Sequence, residues 1–356
     1  MDFREAMERA IALAWNGWGR VGRNPLVGAL VLRDGAVVGE GYHAEYGGPH
    51  AEVLAMVSAG ERARGADLVV SLEPCVHHGK TPPCTDAIVA SGIRRVVFGA
   101  REEDPAARGG ATVLAGAGVT VEGGLLESAV RAQNALFFHR CAGRGRPFVA
   151  LKLAVSLDAR IADRDGRSRW VSGEAAREFV QWLRAGFDAI AVGGGTVKAD
   201  DPSLTVRGSV APNRPPLRVV LDRRGELPPD STLVRTARET PTLALVGRDA
   251  AAGAGALRAA GVEVAAADGP REALAELARR GVDSVLVEGG GVVAGRMLGE
   301  DVVDRVYLVV APLWLGEGGV SAFAGLPGAA IGEAVRWRTV DRRALGDDTL
   351  LVMDRR

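Results

Sequence analysis

Strand-length apolar runs alternate with helix-period apolar patterns along this chain, and the alternation is interrupted once, at residues 140–147 (R-C-A-G-R-G-R-P). Strands and helices in alternation bury their apolar faces by stacking as layers, so layered α/β structure is expected on both sides of that interruption. The stretch itself is rich in Gly, Arg and Pro and reads as a linker. At 356 residues the chain also exceeds what one ordinary core holds. Two α/β domains are therefore expected, over residues 1–143 and 147–356. No internal repeat is visible.

In the first half, Phe3, Met7, Ala10, Ile11 and Ala14 recur at helical spacing. Residues 27–32 and 36–41 are apolar runs joined by Asp34-Gly35, a two-residue hairpin signal. Helices are expected at 50–59, 84–90, 110–117 and 125–139, with strands at 66–72 and 95–99. In the second half, strands are expected at 148–155, 189–192, 217–221, 242–246, 284–287, 305–310 and 349–353. Helices are expected at 173–185, 253–260, 271–280 and 292–299.

Charge narrows the function. Lys+Arg and Asp+Glu are both 44, and neither half carries the basic excess of a nucleic-acid binder. No apolar stretch approaches the roughly 20 residues that span a bilayer, and the N-terminus lacks a basic segment followed by an apolar run. Three cysteines make no disulfide framework and suit a reducing compartment, so a cytoplasmic location is expected. The oligomeric state, a homo-oligomer included, is left open.

Four of the five histidines (His43, His50, His77, His78) and two of the three cysteines (Cys75, Cys84) fall between residues 43 and 84. His50-Ala51-Glu52, Pro74-Cys75 and Cys84 are the parts of a zinc deaminase. One imidazole and two thiolates supply three ligands and leave a fourth tetrahedral position for water. Zinc brings that water's pKa down to about 7, and Glu52 stands where it can carry a proton to the leaving amine. The usual signature has two residues between the cysteines; here there are eight, V-H-H-G-K-T-P-P. A structural zinc closed by His77 or His78 is the alternative.

The run E-P-C-V-H-H-G-K-T-P-P-C at residues 73–84, N-P-L-V-G at 24–28 and G-Y-H-A-E-Y-G-G-P-H-A-E-V at 41–53 resemble the bifunctional riboflavin-biosynthesis deaminase/reductases. The resemblance implies that His50, Cys75 and Cys84 bind zinc and that Glu52 carries the proton. It also implies that Asn24, His77 and Lys80 line the substrate pocket. One departure is E-E-D-P at residues 102–105, where the family usually shows D-P-N-P.

The second half resembles the same family in L-K-L-A-V-S-L-D-A-R-I-A at residues 151–162, S-R-W at 168–170, G-G-T-V-K-A-D-D-P-S-L-T-V-R at 194–207 and V-E-G-G at 287–290. The implied fold is a cytidine-deaminase-like three-layer domain followed by a dihydrofolate-reductase-like α/β domain. Ala154, Trp170, Thr196 and Asp200 would contact NADPH, with Gly290, Gly291, Val292, Val293, Ala294, Gly295 and Arg296. Ser168, Leu204, Arg207 and Glu288 would hold the substrate, and Arg223 would meet the cofactor's extra phosphate. Lys152 and Asp200 are the catalytic candidates, and Lys152 is one of only three lysines, with Lys80 and Lys198. Ala159 stands where the family has Gly; a positive φ there would cost on the order of 1 kcal/mol.

The implied reaction is hydrolytic removal of the 2-amino group of a diamino-ribosylamino-pyrimidinone 5′-phosphate, then NADPH-dependent reduction of its ribosyl group to ribityl. The alternative is a deaminase of a related free or nucleic-acid base with a non-catalytic second domain.

Overall fold

A computed structural model describes residues 1–356. The chain divides into two compact units, Met1–Gly143 and Arg144–Arg356.

The first unit opens with α1 (Phe3–Ala14), the hairpin β1 (Gly28–Arg33) and β2 (Ala36–Tyr42), and α2 (Ala51–Ala59). It continues through β3 (Asp67–Leu72), α3 (Cys84–Ser91), β4 (Arg95–Ala100), α4 (Gly110–Gly116) and β5 (Thr120–Gly123). It ends in α5 (Glu127–Gln133) and α6 (Ala135–Cys141). Asp34 and Gly35 take φ of 51° and 76°, the left-handed pair that a two-residue hairpin turn requires. The sheet order is β2-β1-β3-β4-β5, antiparallel across β2-β1-β3 and parallel across β3-β4-β5.

Helices cover both faces. A Cβ on Gly28 would strike Ala10 O of α1 at 2.0 Å, while one on Gly39 or Gly41 would strike the backbone of α2 at 2.3 and 2.6 Å. Gly39 and Gly41 pair with Val31 and Ala29, the residues of β1 that point away from Gly28's face. Side-chain alternation thus sends α1 and α2 to opposite sides, giving three layers.

The single helix expected over residues 125–139 is two helices, broken at Asn134. Its side chain accepts from Leu26 N–H at 2.7 Å and donates to Leu26 O at 3.0 Å, tying the break to the segment that leads into β1. An Asn that completes a neighbouring backbone favours a bend over a continued helix. The short edge strand β5 was not expected; its residues are mostly exposed and carry little apolar alternation.

The second unit starts with β6 (Phe148–Val155), β7 (Arg160–Ala162), α7 (Glu174–Arg184), β8 (Ala189–Gly193) and α8 (Gly194–Asp200). Next come β9 (Leu217–Leu221), α9 (Thr232–Arg235), β10 (Thr242–Val246), α10 (Arg248–Ala251), α11 (Gly255–Ala259) and β11 (Glu263–Ala266). Then follow α12 (Pro270–Arg279), β12 (Ser284–Glu288), α13 (Gly291–Gly299) and β13 (Arg305–Val310). The last elements are β14 (Val320–Ser321) and the hairpin β15 (Trp337–Leu345) and β16 (Asp348–Arg355).

Nine strands form one sheet in the order β11-β10-β9-β8-β12-β6-β13-β16-β15, and β14 pairs with β7 apart from it. Strands β11 to β13 run parallel, and only the C-terminal hairpin is antiparallel. The central strands are buried along their length, as parallel strands covered on both faces must be. The missed strands β11 and β15 are again edges, and neither holds a fully buried residue. The glycine-rich segment after β8 opens helix α8.

Candidate functional site

The first unit builds a site where three chain segments meet. His50 caps α2 in extended conformation and Glu52 lies in the first turn of that helix. Cys75 follows β3 closely, and Cys84 is the first residue of α3. His50 Nδ1 is 3.1 Å from Cys84 Sγ and 3.5 Å from Cys75 Sγ, and the three ligand atoms lie within 4.8 Å of one another. Nδ1 is therefore the nitrogen aimed at the two sulfurs, while Nε2 lies 3.4 Å from Thr81 Oγ1.

The hydrogen bond between the two thiols polarises them. It is the largest cause of Cys75 lying low, at about 4, and of Cys84 being pushed up, the latter helped by burial. A cation bound between them removes the shared proton and takes both as thiolates. An imidazole and two thiolates at this range fit zinc with one open position. Neither His77 nor His78 belongs to the cluster, so no histidine closes the site.

Glu52 is 4 % exposed, and burial pushes its carboxyl up against the opposing charge of His50. A carboxyl so raised exchanges protons nearer neutrality. It lines a cavity of about 400 Å³ together with Asn24, His77 and Lys80. Asn24 is held by a residue not singled out from the sequence: its Nδ2 lies 3.0 Å from His43 Nε2, and His43 Nδ1 donates to Pro49 O at 3.1 Å. His43 is buried, and desolvation lowers its pKa. The histidine cluster was visible, but only the tertiary contact distinguishes this histidine's task from that of His50.

The departure at residues 102–105 has a local explanation. Glu102 accepts from Asp104 N–H at 2.7 Å, and Asp104 accepts from Ala106 N–H at 3.0 Å. Both carboxylates tie down their own turn, and burial pushes Glu102 up to about 7.

In the second unit, the C-terminal ends of β6, β8, β9 and β12 open into a cavity of about 1670 Å³. This is where parallel sheets place ligands. Lys152, Ala154, Ser168, Trp170, Thr196 and Asp200 line it, as do Leu204, Arg207, Arg223 and Glu288. Gly290 to Val293 and Arg296 line it too. Ala294 and Gly295 do not: both are buried in the packing of α13. A Cβ on Gly295 would meet Ala324 O at 2.2 Å, so close backbone approach explains that glycine. Gly291 is similarly required, because its Cβ would meet Ser321 O at 2.0 Å.

Gly289 and Gly290 take φ of 72° and 80°, and a Cβ on Gly290 would stand 3.0 Å from Thr196 Oγ1. This turn and the start of α8 at Gly193–Gly195 face one cavity, a Cβ-free cradle that fits the phosphates of a dinucleotide. Ser168 Oγ donates to Asp200 Oδ1 at 2.8 Å, joining two lining segments. Lys152 on β6 is the register partner of Glu288 on β12.

Sequence reasoning missed Arg184. Its Nε and Nη2 donate to the two Glu288 oxygens at 2.6 and 2.8 Å, and Nη1 donates to Thr205 O at 2.9 Å. Burial raises the Glu288 pKa, but the Arg184 charge and bidentate bonds outweigh it, and the carboxyl lies below its ordinary value. Burial lowers the Lys152 pKa against the pull of Glu288. The signal for Arg184 lay in α7: it sits in the stripe otherwise formed by Ala176, Phe179, Val180 and Leu183, where an unpaired cation would be costly.

No helix is long and apolar enough to cross a membrane. Residues 2–100 match the zinc-binding region of cytidine and deoxycytidylate deaminases, and residues 147–351 match the RibD C-terminal domain. The chain is 38 % identical to riboflavin biosynthesis protein RibD of Actinobacillus pleuropneumoniae, over 97 % of this chain and 93 % of that protein. It is 36 % identical to RibD of Escherichia coli strain K12, over 97 % of each. The crystal structure of a diaminohydroxyphosphoribosylaminopyrimidine deaminase/5-amino-6-(5-phosphoribosylamino)uracil reductase from Thermotoga maritima superposes with a TM-score of 0.84. It is 37 % identical, covering 99 % of this chain and 98 % of that one. A zinc-binding deaminase unit followed by an NADPH-using, dihydrofolate-reductase-like unit is the architecture of that family. With both units matched in order over nearly its whole length, the chain belongs to the RibD family of bifunctional riboflavin-biosynthesis deaminase/reductases.

Proposed function

We propose that the first unit hydrolyses the 2-amino group from 2,5-diamino-6-ribosylamino-4(3H)-pyrimidinone 5′-phosphate, and that the second reduces the ribosyl group of the product to ribityl. The observation that carries the reading is the convergence of His50, Cys75 and Cys84 within 4.8 Å, at the wall of the cavity that His50 and Cys75 line together with buried Glu52. Bound by those three residues, zinc supplies the acidity that makes the attacking water a nucleophile near neutral pH. Glu52 takes the proton from that water and returns it to the departing amine, so ammonia leaves and oxygen stays on the ring. Asn24, oriented by His43, hydrogen-bonds the pyrimidine edge, while His77 and Lys80 meet the ribosyl phosphate.

NADPH, held in the cavity of the second unit, would supply the hydride that the ribosyl group gains. Lys152 holds the proton that the ring oxygen must gain, and burial, which lowers its pKa, eases the release of that proton. Glu288, pinned by Arg184, orients the sugar; Ser168, Leu204 and Arg207 complete its contacts. Ala154, Trp170, Thr196, Asp200, Gly290, Gly291, Val292, Val293 and Arg296 hold the cofactor, with Arg223 on its extra phosphate.

Mass spectrometry of the products tests this. With substrate alone, one amino group is exchanged for oxygen. With NADPH added, the product gains two further hydrogens and NADPH is consumed. Unchanged substrate in the first incubation refutes the deaminase assignment. Deaminated substrate that never gains hydrogen refutes the reductase assignment.

A further inference from the structure

The Lys80 side chain lies in a seat formed by two residues of the loop between β2 and α2. A Cβ on Gly47 would stand 3.0 Å from Lys80 Cδ and 3.4 Å from its Nζ, so the lysine stem passes over a glycine whose φ is +84°. Beyond that glycine, Nζ lies 4.2 Å from the centroid of the Tyr46 ring. Tyr46 is 53 % exposed, so its ring does not fill the core. Its backbone is set instead by the hydrogen bond from Tyr46 N–H to Arg20 O at 3.0 Å. All three residues line the cavity that holds His50 and Glu52.

The choice of partner matters electrostatically. Lys198, elsewhere in the chain, is paired with a carboxylate at 2.6 Å, which offsets its charge toward any other anion. Lys80 has an aromatic face in that place. A π face attracts an ammonium through its quadrupole and carries no net charge. The ammonium is thus held over the cavity mouth with its full charge left for an incoming anion, and less side-chain freedom is lost when that anion binds.

We infer that Tyr46 is a positioning residue for phosphate recognition: by seating Lys80 it sets the preference of the deaminase for a 5′-phosphorylated substrate over the corresponding nucleoside. The inference rests on the assignment of Lys80 to the ribosyl phosphate made above. A cation–π contact at an exposed site corresponds to about two- to fivefold in an equilibrium constant.

The test uses the full-length zinc enzyme and variants Tyr46→Leu, Tyr46→Phe, Lys80→Met and the Leu/Met double variant. Deamination is measured on the phosphorylated substrate and on the same compound without its phosphate. Zinc content and reduction of deaminated substrate verify the fold. Tyr46→Leu is expected to raise KM for the phosphorylated substrate about two- to fivefold with kcat unchanged, and to leave the nucleoside unaffected. Tyr46→Phe restores the KM, and the double variant is no worse than Lys80→Met. Equal losses on both substrates, or a Tyr46→Leu effect that persists in full on the Lys80→Met background, overturn the inference. If Lys80→Met removes the phosphate preference and Tyr46→Leu does not, the inference alone falls. If Lys80→Met keeps the preference, the assignment of Lys80 falls, and the inference with it.

Discussion

Ala159→Gly should stabilise the second unit. The residue sits in the turn between β6 and β7 with φ of 57°, where an L-residue brings its Cβ too close to the following carbonyl and costs about 1–2 kcal/mol. The turn has no room to relax. Ala159 N–H donates to Ser156 O at 3.0 Å, Ser156 N–H donates to Arg160 O at 2.9 Å, and Ala159 O accepts from Ala322 N–H at 3.0 Å. Ala159 is exposed, so removing its methyl group gives up little burial. Glycine frees the unfolded chain, an opposing term of about 0.4–1 kcal/mol. The net gain is about 0.5–1 kcal/mol, which for a unit of this size raises Tm by about 1–4 °C. Scanning calorimetry reads it, with NADPH added in a parallel scan to mark which transition belongs to the second unit. Ala159→Val is the counterpart and should lower the same transition. A lower Tm for the glycine variant, or a valine variant as stable as the parent, would refute the assignment of strain to this turn.

Three further outcomes are expected. Glu52→Gln should lower the deamination rate by about 10² to 10⁴ with zinc content and reductase rate intact; a loss under about tenfold would count against proton carriage by Glu52. Gly290→Val places a side chain at φ of +80° against Thr196, and should weaken NADPH binding in a fluorescence titration without altering deamination; an unchanged Kd would move the cofactor away from this turn. Glu102, pushed up from 4.5 to about 7 by burial, holds its proton more tightly folded than unfolded. Its contribution to stability is then complete below about pH 4.5 and is lost as pH rises through about 7. Glu102→Gln should flatten the fall in stability over that window, and a parallel fall in the parent and the variant would contradict the raised pKa.

Much of the fold was legible because its signals are local. Asp34-Gly35 marks its hairpin through two left-handed residues, and the buried central strands read as apolar runs. The edge strands β5, β11 and β15 were not legible, since an edge buries little and shows little periodicity. Nor was the break at Asn134, whose cause is a bond to Leu26, far away in sequence. Residue chemistry and motif order drew attention to His50, Glu52, Cys75 and Cys84, since few side chains ligate a metal or carry a proton. Sequence alone left open whether His77 or His78 closes the metal site, and the tertiary distances leave both outside the cluster.

What the sequence by itself determined is therefore the alternation of elements, the division into two units and the inventory of chemically able residues. These depend on side-chain type and near-neighbour spacing. Only the tertiary structure decided which of those residues touch. It gave Arg184 to Glu288 across 104 positions and Asn24 to His43 across 19, and it turned Gly295 from a cofactor-loop candidate into a packing necessity. The physical reason is range. A buried charge or an absent Cβ is explained by whatever lies within a few ångströms in space, and nothing in the local pattern names that neighbour.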